Sequence, residues 1–562
     1  MSSEKKTHDR LASERSQLEE AQAAGFRRTL ATYTRLSGPG WLQSAITLGG
    51  GSLAGSLYLG VIGGYEFLWL QPLMMMLGIV MLSAIAYVTL STGKRPFQAM
   101  NEHVSPVLGW GWLVAAMMAN LVWAMPQFSL GTAALQQNLF PQYLAGDSAK
   151  LICVLCLFLL AAMVVWFYDS PGWGVRIFEW SLKAMVGLVV LSFFGVVVAM
   201  SWKGELEWVS IGKGFVPDFS LLWRPVTGLQ SFIDESSAPD FWTATILRAQ
   251  RERMIAAAAT AVGINMTFLL PYSMLRKGWD RSFRGLAAFD LSTGLFVPFL
   301  IATSCVVIAA ASQFHARFDE KLISQPAADI NGSYRDNLEK RVKADAGSAD
   351  GSILSRSELD AKIDALPRVD RKLAYMLIKR DSLDLASALE NLFGKGGLTQ
   401  KVFGIGVLGM AISTIVILMV INGFCVTEMT QRDGDRVVQR LGAILPGIVG
   451  GLGFLALWGD DQARFWLAVP TSNFGMVLLP IAYIAFFFMM NSPSLLGDAM
   501  PRGVLRIIAN VVMLAAISAA SIGAGLSVWE NVGWIGVAFA AGFVVISVVN
   551  AGSRQTALLK RQ

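Results

Sequence analysis

The stretch LGGGS, residues 48–52, lies in the middle of the first long apolar segment of the chain, 40–63. Each glycine in a helix costs roughly 1 kcal/mol relative to alanine, so three in succession are expected to interrupt the helix. Close helix packing is an alternative explanation for spaced glycines such as Gly51 and Gly55. A run of three favours a genuine break.

Apolar segments of similar length recur along the chain. Of its 562 residues, 54% are hydrophobic and only 15% are charged, a composition that a soluble domain does not usually carry. A helix needs about 20 residues to cross the hydrocarbon core. Twelve segments qualify: 40–63, 67–91, 109–135, 150–167, 176–201, 253–275, 286–311, 402–427, 441–458, 465–490, 504–527 and 531–550. We therefore expect an all-α integral membrane protein with about twelve transmembrane helices.

Lysine and arginine cluster in the connections on one side of the predicted membrane spans. The connections on the other side, such as 63–66, 458–464 and 527–533, carry few cations. The positive-inside rule then places both termini in the cytoplasm of a multi-pass protein of the cell (inner) membrane. This bias accounts for the net charge of +6, so no nucleic-acid partner is expected beside the lipid bilayer.

All four cysteines lie inside apolar segments. Cys153 and Cys156 form a CxxC pair, but no second ligand pair accompanies it, which favours a packing role. The sequence also contains no P-loop and no nucleophile–base pair. We expect neither a cofactor nor an enzymatic activity.

A second interrupted segment contains Pro271, within GINMTFLLPYSMLRKGW, 263–279. Proline inside a helix removes a hydrogen bond and costs ~3 kcal/mol. Interrupted helices five segments apart indicate an inverted-repeat secondary transporter whose substrate site lies at the two breaks.

This pattern predicts a division of the chain into repeats and connections. The charged insertion at 313–399 is long enough to form a small helical cap, with a capping box from Ser355 to Glu358. It is a possible docking site for a protein partner. The predicted units are a cytoplasmic tail 1–36, a first repeat 37–202, an external connection 203–250, helices six and seven 251–312, the external insertion 313–399, helices eight to ten 400–500, and helices eleven and twelve with the C-terminal tail 501–562.

The segment GPGWLQSAITLGGGSLAGSLYLGVIGGYEFLW, 38–69, resembles the first helix of the Nramp (natural resistance-associated macrophage protein) metal-ion transporters. The matching residues are Gly38, Pro39, Gly40, Gly60, Gly64, Tyr65, Leu68 and Trp69. Further similar motifs are TGK 92–94, PYS 271–273, FGIGVLG 403–409, LLPIA 478–482 and NSPSLLG 491–497. The resemblance implies a LeuT-type 5+5 inverted repeat with broken helices 1 and 6, and secondary active transport.

The sequence departs from this family where the metal should bind. The family's ligand positions, Asp, Asn, Met and the following His, fall here on Gly49, Ser52, Leu270 and Tyr272. Its glutamines on helices 8 and 10 fall near Ile412 and Asn473, and its acidic proton-route residues near Met125 and Phe128. Because a dehydrated divalent cation needs strong oxygen, nitrogen or sulfur donors, Mn²⁺ or Fe²⁺ transport is not expected.

These observations leave three hypotheses. The first is an Nramp-like transporter of a small solute or cation, with a wider unwound region at the glycines. The second is a Mg²⁺ or Mn²⁺ transporter that coordinates its ion mainly through carbonyl groups. The third is a non-transporting membrane sensor or assembly subunit that docks through 313–399. The candidate substrate-binding residues are Gly49, Gly50, Gly51, Ser52, Asn265, Thr267, Leu270, Tyr272 and Asn473, with Ser44 and Thr47 as further polar candidates.

Overall fold

The architecture comes from a computed structural model. It describes residues 3–144, 146–168, 173–345, 355–380, 384, 398–432, 434–457 and 468–559. All regular secondary structure in these ranges is helical, as the apolar composition predicts.

The first half of the chain contains two tail helices and the elements of the first repeat. The helices are α1 (Ser3–Ala23), α2 (Phe26–Leu36), α3 (Pro39–Thr47), α4 (Gly50–Gly63), α5 (Leu70–Thr92), α6 (Pro96–His103), α7 (Pro106–Ala133), α8 (Asp147–Tyr168) and α9 (Trp173–Trp202). A π-helical turn, Ala134–Leu139, continues α7.

The connection, the second repeat and the remaining helices follow. They comprise α10 (Trp208–Gly214), α11 (Thr227–Asp234), α12 (Pro239–Ala259), α13 (Ile264–Arg276), α14 (Arg284–Asp290), α15 (Val297–Phe314), α16 (Glu320–Ile323), α17 (Gly332–Asp345), α18 (Arg356–Asp364), α19 (Arg368–Met376), α20 (Leu398–Met429), α21 (Arg436–Leu457), α22 (Ala468–Met490), α23 (Pro493–Leu496), α24 (Gly503–Val532) and α25 (Trp534–Leu559). A π-helical stretch, Leu291–Phe296, joins α14 to α15.

The predicted number of membrane spans is confirmed. Eleven helices of the described chain are long and apolar enough to cross a bilayer, and the bent pair α3–α4 makes twelve. We call the face that carries α1 and α2 the tail side, and the face that carries α16 to α19 the insertion side.

The first break lies where the glycine run predicts it. Leu48 (φ −82°, ψ 53°) and Gly49 (φ −104°, ψ −176°) leave the helical conformation, and the axes of α3 and α4 differ by 54°. Gly50 and Gly51 already belong to α4. The unwound region is therefore two residues long, which corrects the expectation of a wider one.

The second break is real, but its predicted position at Pro271 was wrong. The chain unwinds at 260–263, between α12 and α13, and Gly263 is extended at φ −83° and ψ 160°. Pro271 lies inside α13, where it removes one backbone hydrogen bond without ending the helix. Neighbouring helices support such a proline in a membrane bundle.

The insertion contains the predicted capping box. The Ser355 hydroxyl accepts the Glu358 N–H, while the Glu358 carboxylate accepts the Ser355 N–H. In the same insertion, the charged run VDRKLAYMLIKR, 369–380, is helical as far as Met376, where α19 ends. The rest of the predicted insertion, 346–354, 381–383 and 385–397, lies outside the described residues, as do 458 and 465–467 at the ends of two predicted spans.

Candidate functional site

A small cavity lies between the two breaks. Its volume is about 20 Å³, close to the space that one water molecule needs. Five transmembrane elements contribute to its lining: Ile46, Thr47, Gly49, Gly51 and Ser52 from the α3–α4 break, Trp123, Pro126 and Gln127 from α7, Thr260 after α12, Thr414 from α20, and Thr471 and Ser472 from α22.

Side chains satisfy the backbone groups that the first break exposes. The last carbonyls and first N–H groups of a helix lack partners within that helix. The Ser52 hydroxyl donates to the Thr47 carbonyl at the end of α3, and the Gly50 N–H at the start of α4 donates to Gln127 Oε1 at 3.0 Å. Gln127 therefore holds the start of α4 against α7.

The backbone at Gly49 packs so closely against α20 that no space is left for a side chain at position 49. A Cβ at this position would lie 2.2 Å from Thr414 Oγ1 and 3.0 Å from the Ile46 carbonyl oxygen. Thr414 is itself buried, and its hydroxyl has no hydrogen-bond partner among the described residues. A free hydroxyl thus faces the glycine on which the resemblance places the family's metal-binding carboxylate.

Gly51 lies in a more open part of the cavity. A Cβ there would meet Thr260 Cγ2 at 3.4 Å and Ser472 Oγ at 3.5 Å, which are ordinary contact distances. A side chain larger than that of alanine at position 51 would extend into the cavity and occupy space that a bound cargo would need.

A polar network continues from the second break. The Thr260 hydroxyl donates to the Ala257 carbonyl at 2.7 Å and accepts from Gln71 Nε2 at 3.5 Å. Gln71 Oε1 in turn accepts from the Ser56 hydroxyl at 2.9 Å. The network connects α4, α5 and α12 through neutral groups.

The predicted site residues divide into two groups. Gly49, Gly51 and Ser52 line the cavity, as does Thr47, and Gly50 adjoins it through Gln127. Asn265, Thr267, Leu270, Tyr272 and Asn473 do not line it, and neither does Ser44, whose hydroxyl donates to the Gly294 carbonyl.

The residues on α13 have other neighbours. Thr267 Oγ1 accepts from Trp112 Nε1 at 2.9 Å, and Asn265 Oδ1 accepts the Met266 N–H at 2.9 Å. Leu270 is buried, and the Tyr272 ring stacks on Phe268 with the centroids 4.7 Å apart. These residues follow the break by two or more positions, which moves their side chains away from the cavity.

Sequence reasoning missed Trp123, Gln127, Thr260, Thr414 and Ser472. Gln127 and Pro126 form a polar, helix-disturbing pair inside an apolar segment, a signal for function in its own right. Thr260 and Gly263 interrupt an alanine run at TAVG. Thr414 and Ser472 give no such signal, because small hydroxyl residues are common in transmembrane helices.

Among the residues that the structure describes, no carboxylate, imidazole or thiol lines the cavity. In the described part of the chain, no three His, Cys, Asp or Glu side chains lie together as they would to hold a metal ion. Asp290 binds the start of α3 instead, accepting the N–H groups of Gly40 at 2.6 Å and Gly38 at 3.1 Å. Buried Glu428 forms an ion pair with the partly exposed Arg95 at 3.0 Å.

The insertion contacts the insertion-side half-helices directly. Tyr58 of α4 donates its hydroxyl proton to the Arg380 carbonyl at 2.5 Å. Arg253 of α12 lies with its guanidinium 5.5 Å from the centre of the Tyr58 ring and donates to the Leu377 carbonyl at 3.5 Å. The insertion therefore packs against both broken helices.

Comparison with known proteins supports this architecture. The family model described as "Natural resistance-associated macrophage protein-like" matches residues 40–329, just over half of the chain and both breaks. The chain belongs to the Nramp family. The family's members are transporters, and the apolar helices make this chain a multi-pass membrane protein.

Curated Nramp relatives match over part of their length. "Metal transporter Nramp2" of Populus trichocarpa is 29% identical over 163 residues, covering 28% of this chain and 28% of the relative. The protein of the same name from Oryza sativa subsp. japonica is 25% identical over 165 residues, covering 28% and 29%. The matched region thus spans less than a third of these relatives.

Solved structures confirm the Nramp-type fold over nearly the whole chain. A variant of the Eremococcus coleocola manganese transporter gives a TM-score of 0.62 at 13% identity, covering 95% of this chain and 96% of that one. MHP1, a nucleobase-cation-symport-1 family transporter, gives 0.50 at 10% identity, with 92% of each chain covered. Two transporter families with different cargo therefore share this fold.

Proposed function

We propose that this Nramp-family protein is a secondary transporter that moves a small polar solute, or a cation that keeps part of its hydration shell, by alternating access. The observation that supports this proposal is the cavity lining. Among the described residues, the lining offers hydroxyl, amide, indole and backbone groups beside the apolar Ile46 and Pro126, and it contains no charged or sulfur-bearing side chain.

The donor set of the cavity argues against a bare transition-metal ion as the cargo. Such ions are held in proteins by carboxylate, imidazole or thiolate ligands, and removing their water without replacement is costly. Hydroxyl and carbonyl groups suit a neutral or zwitterionic solute. They also suit a hard cation, because they can form hydrogen bonds with the water molecules that the cation retains.

Alternating access is consistent with the two broken helices. The cavity has room for about one water molecule, so a larger cargo requires the half-helices to separate. Repacking of one repeat against the other around the breaks is the usual route in inverted-repeat transporters.

A second candidate cargo is a divalent metal ion held mainly by carbonyl groups. The names of the relatives, "metal transporter" and "manganese transporter", favour it. We keep Mg²⁺ and Mn²⁺ as the ions to compare. A third candidate is a sensor or assembly subunit that does not transport. Deletion of the insertion would then abolish partner pull-down, and the intact protein would show no transport activity.

We also propose that both termini lie in the cytoplasm. The cation bias of the connections supports this orientation. It would place the tail side in the cytoplasm and the insertion outside. Accessibility of a cysteine introduced at Asp336 to an impermeant thiol reagent in intact cells would test it.

Counterflow assays in proteoliposomes would test the proposed cargo class. The panel comprises neutral and zwitterionic amino acids, Mg²⁺ and Mn²⁺. Gly51→Val should fill the cavity and abolish saturable counterflow, while Gly187→Val, on an α9 surface with nothing within 4 Å, should leave it unchanged. Saturable Mn²⁺ counterflow that Gly51→Val blocks would favour the second candidate instead.

A further inference from the structure

The connection between α9 and α12 exposes an unusual amount of apolar surface. Five large side chains in sixteen residues are more than half exposed: Trp208 (55%), Val209 (73%), Val216 (66%), Phe219 (60%) and Trp223 (67%). None of them lies in a membrane-spanning helix. Apolar patches of this kind on a protein surface mark a contact with a membrane or another molecule.

Two hydrogen-bonded positions give the height of this segment above the middle of the membrane. Gln250 and Arg251 of α12 donate to the carbonyls of Arg224 and Leu222, at 3.0 and 2.8 Å. Gln250 lies ten residues before Thr260 at the break. At 1.5 Å per helical residue this is about 15 Å, half the thickness of the hydrocarbon core.

The other end of the segment gives the same height independently. The N–H of Trp69 donates to the Gly214 carbonyl at 2.9 Å, and Trp69 directly precedes α5, a 23-residue span. A helix of that length extends about 35 Å, slightly more than the core of the bilayer. Gly214 therefore lies near the headgroup level as well.

The segment is also continuous with surface that faces lipid. It follows α9, which ends at the 85% exposed Trp202. Arg251, whose guanidinium lies 5.2 Å from the centre of the Trp223 ring, interacts electrostatically with Glu530 near the end of α24. The peripheral helix α24 exposes most of its apolar side chains.

We propose that residues 208–223 form an interfacial collar that inserts its apolar side chains into the headgroup region of the insertion-side leaflet. Tryptophan is favoured there because its amphipathic ring matches the mixed polarity of the interface, and phenylalanine adds apolar surface that can be buried at the boundary with the acyl chains. The long side chain of Lys213, in the same segment, can extend to lipid phosphates.

The collar also contacts the transport machinery. Gly214 packs so closely against the turn after α4 that a Cβ would lie 2.1 Å from the Tyr65 carbonyl oxygen. The rings of Trp69 and Phe219 meet edge-on at 5.2 Å. A lipid-bound collar therefore fixes the insertion-side end of the first broken helix.

Site-specific fluorescence quenching in nanodiscs tests the collar. Val209→Cys and Val216→Cys are made in the full chain after replacement of its four cysteines by serine, and each is labelled with bimane. Gln230→Cys, an exposed position on α11, reports water, and Leu191→Cys, 70% exposed on α9, reports lipid.

We expect lipids with a nitroxide headgroup to quench positions 209 and 216 but not 230. Iodide quenching should fall by about half or more relative to position 230, because the interface excludes water from the apolar rings. Iodide quenching equal to that at position 230 would overturn the proposal. Protection from both quenchers would also overturn it, since a protein would then cover the patch.

Discussion

A Cβ at Gly49 would lie 2.2 Å from the hydroxyl oxygen of Thr414. This contact places α20 against the unwound backbone of the first break. It leaves no room at position 49 for the carboxylate that the family resemblance expects there. Position 49 is therefore packed for glycine, and any side chain substituted there would overpack the contact with Thr414.

The first prediction concerns this contact. Gly49→Ala should destabilise the protein by about 1–3 kcal/mol, the usual cost of overpacking, as measured by thermal unfolding in detergent. Thr414→Ala should restore part of the loss in the double variant, because it removes the oxygen that the new methyl group meets. Gly51→Ala, with ordinary contact distances, is the control and should be nearly neutral.

The second prediction concerns the free hydroxyl of Thr414. Thr414→Val keeps the shape of the side chain and breaks no hydrogen bond among the described residues, so folding should be nearly unchanged. If the hydroxyl binds cargo, its loss should weaken apparent affinity several-fold, since a hydrogen bond contributes about 0.5–1.5 kcal/mol. Thr427→Val removes a hydroxyl that donates to the Phe424 carbonyl within α20 and should not change affinity.

The third prediction concerns Gln127. Gln127→Met should leave the Gly50 N–H buried without a partner, at a cost of about 1–3 kcal/mol. Hydrogen exchange at the start of α4 should accelerate in this variant. Met125→Leu, a substitution of similar size on the same helix, provides the comparison. Unchanged exchange at Gly50 would show that Gln127 does not hold the half-helix.

The sequence predicted the fold well because its signals are local. Segment length and apolar composition give the spans, and the glycine run gives the first break. The second break was misplaced because proline was read as the interruption. A proline can be accommodated inside a packed helix, whereas the extended Gly263 lies so close to its neighbours that a Cβ would be 2.7 Å from atoms of both Trp123 and Asn265.

The cavity was predictable only on the side of the first break. Thr414 and Ser472 enter it because distant helices pack together, and no spacing in the sequence encodes that distance. Tyr272 is a candidate because a family ligand position falls on it, and Asn265 because it is a polar residue of the second interrupted segment. Neither lines the cavity, since the second break lies at 260–263 and both residues follow it within α13.

The fourth prediction concerns the pH dependence of the insertion. Buried Asp370 accepts from Trp242 Nε1 at 2.7 Å, from the Ser237 N–H at 3.0 Å and from Arg341 Nε at 3.1 Å. Burial alone would raise the pKa of Asp370, but the hydrogen bonds from Trp242, Ser237 and Arg341 outweigh it and lower the pKa below its usual value.

A lowered carboxyl pKa stabilises the folded state above the unfolded pKa of about 4. That stabilisation is lost as the pH falls through the folded-state pKa. Hydrogen-exchange protection of α19 should therefore be constant from neutral pH down to about 5 and decline below about 4. Asp370→Asn should lower protection at neutral pH and flatten the dependence, whereas Asp336→Asn, at an exposed position, should do neither.

The fifth prediction concerns Asp290. Asp290→Ala should free the N–H groups of Gly38 and Gly40, costing about 1.5–3 kcal/mol for each lost bond to the charged group. Faster hydrogen exchange in α3 is the expected readout. Asp280→Ala is the control, because it removes an exposed carboxylate that pairs with Arg15 on the tail side. It should leave hydrogen exchange in α3 unchanged.

Uptake of isotopic Mn²⁺ into proteoliposomes tests the central claim most directly. A site made of hydroxyl, amide and backbone groups should give no saturable Mn²⁺ uptake above protein-free liposomes. The same vesicles should still accumulate a cargo of the proposed class. Saturable Mn²⁺ uptake that Gly51→Val abolishes and Gly187→Val spares would contradict the account.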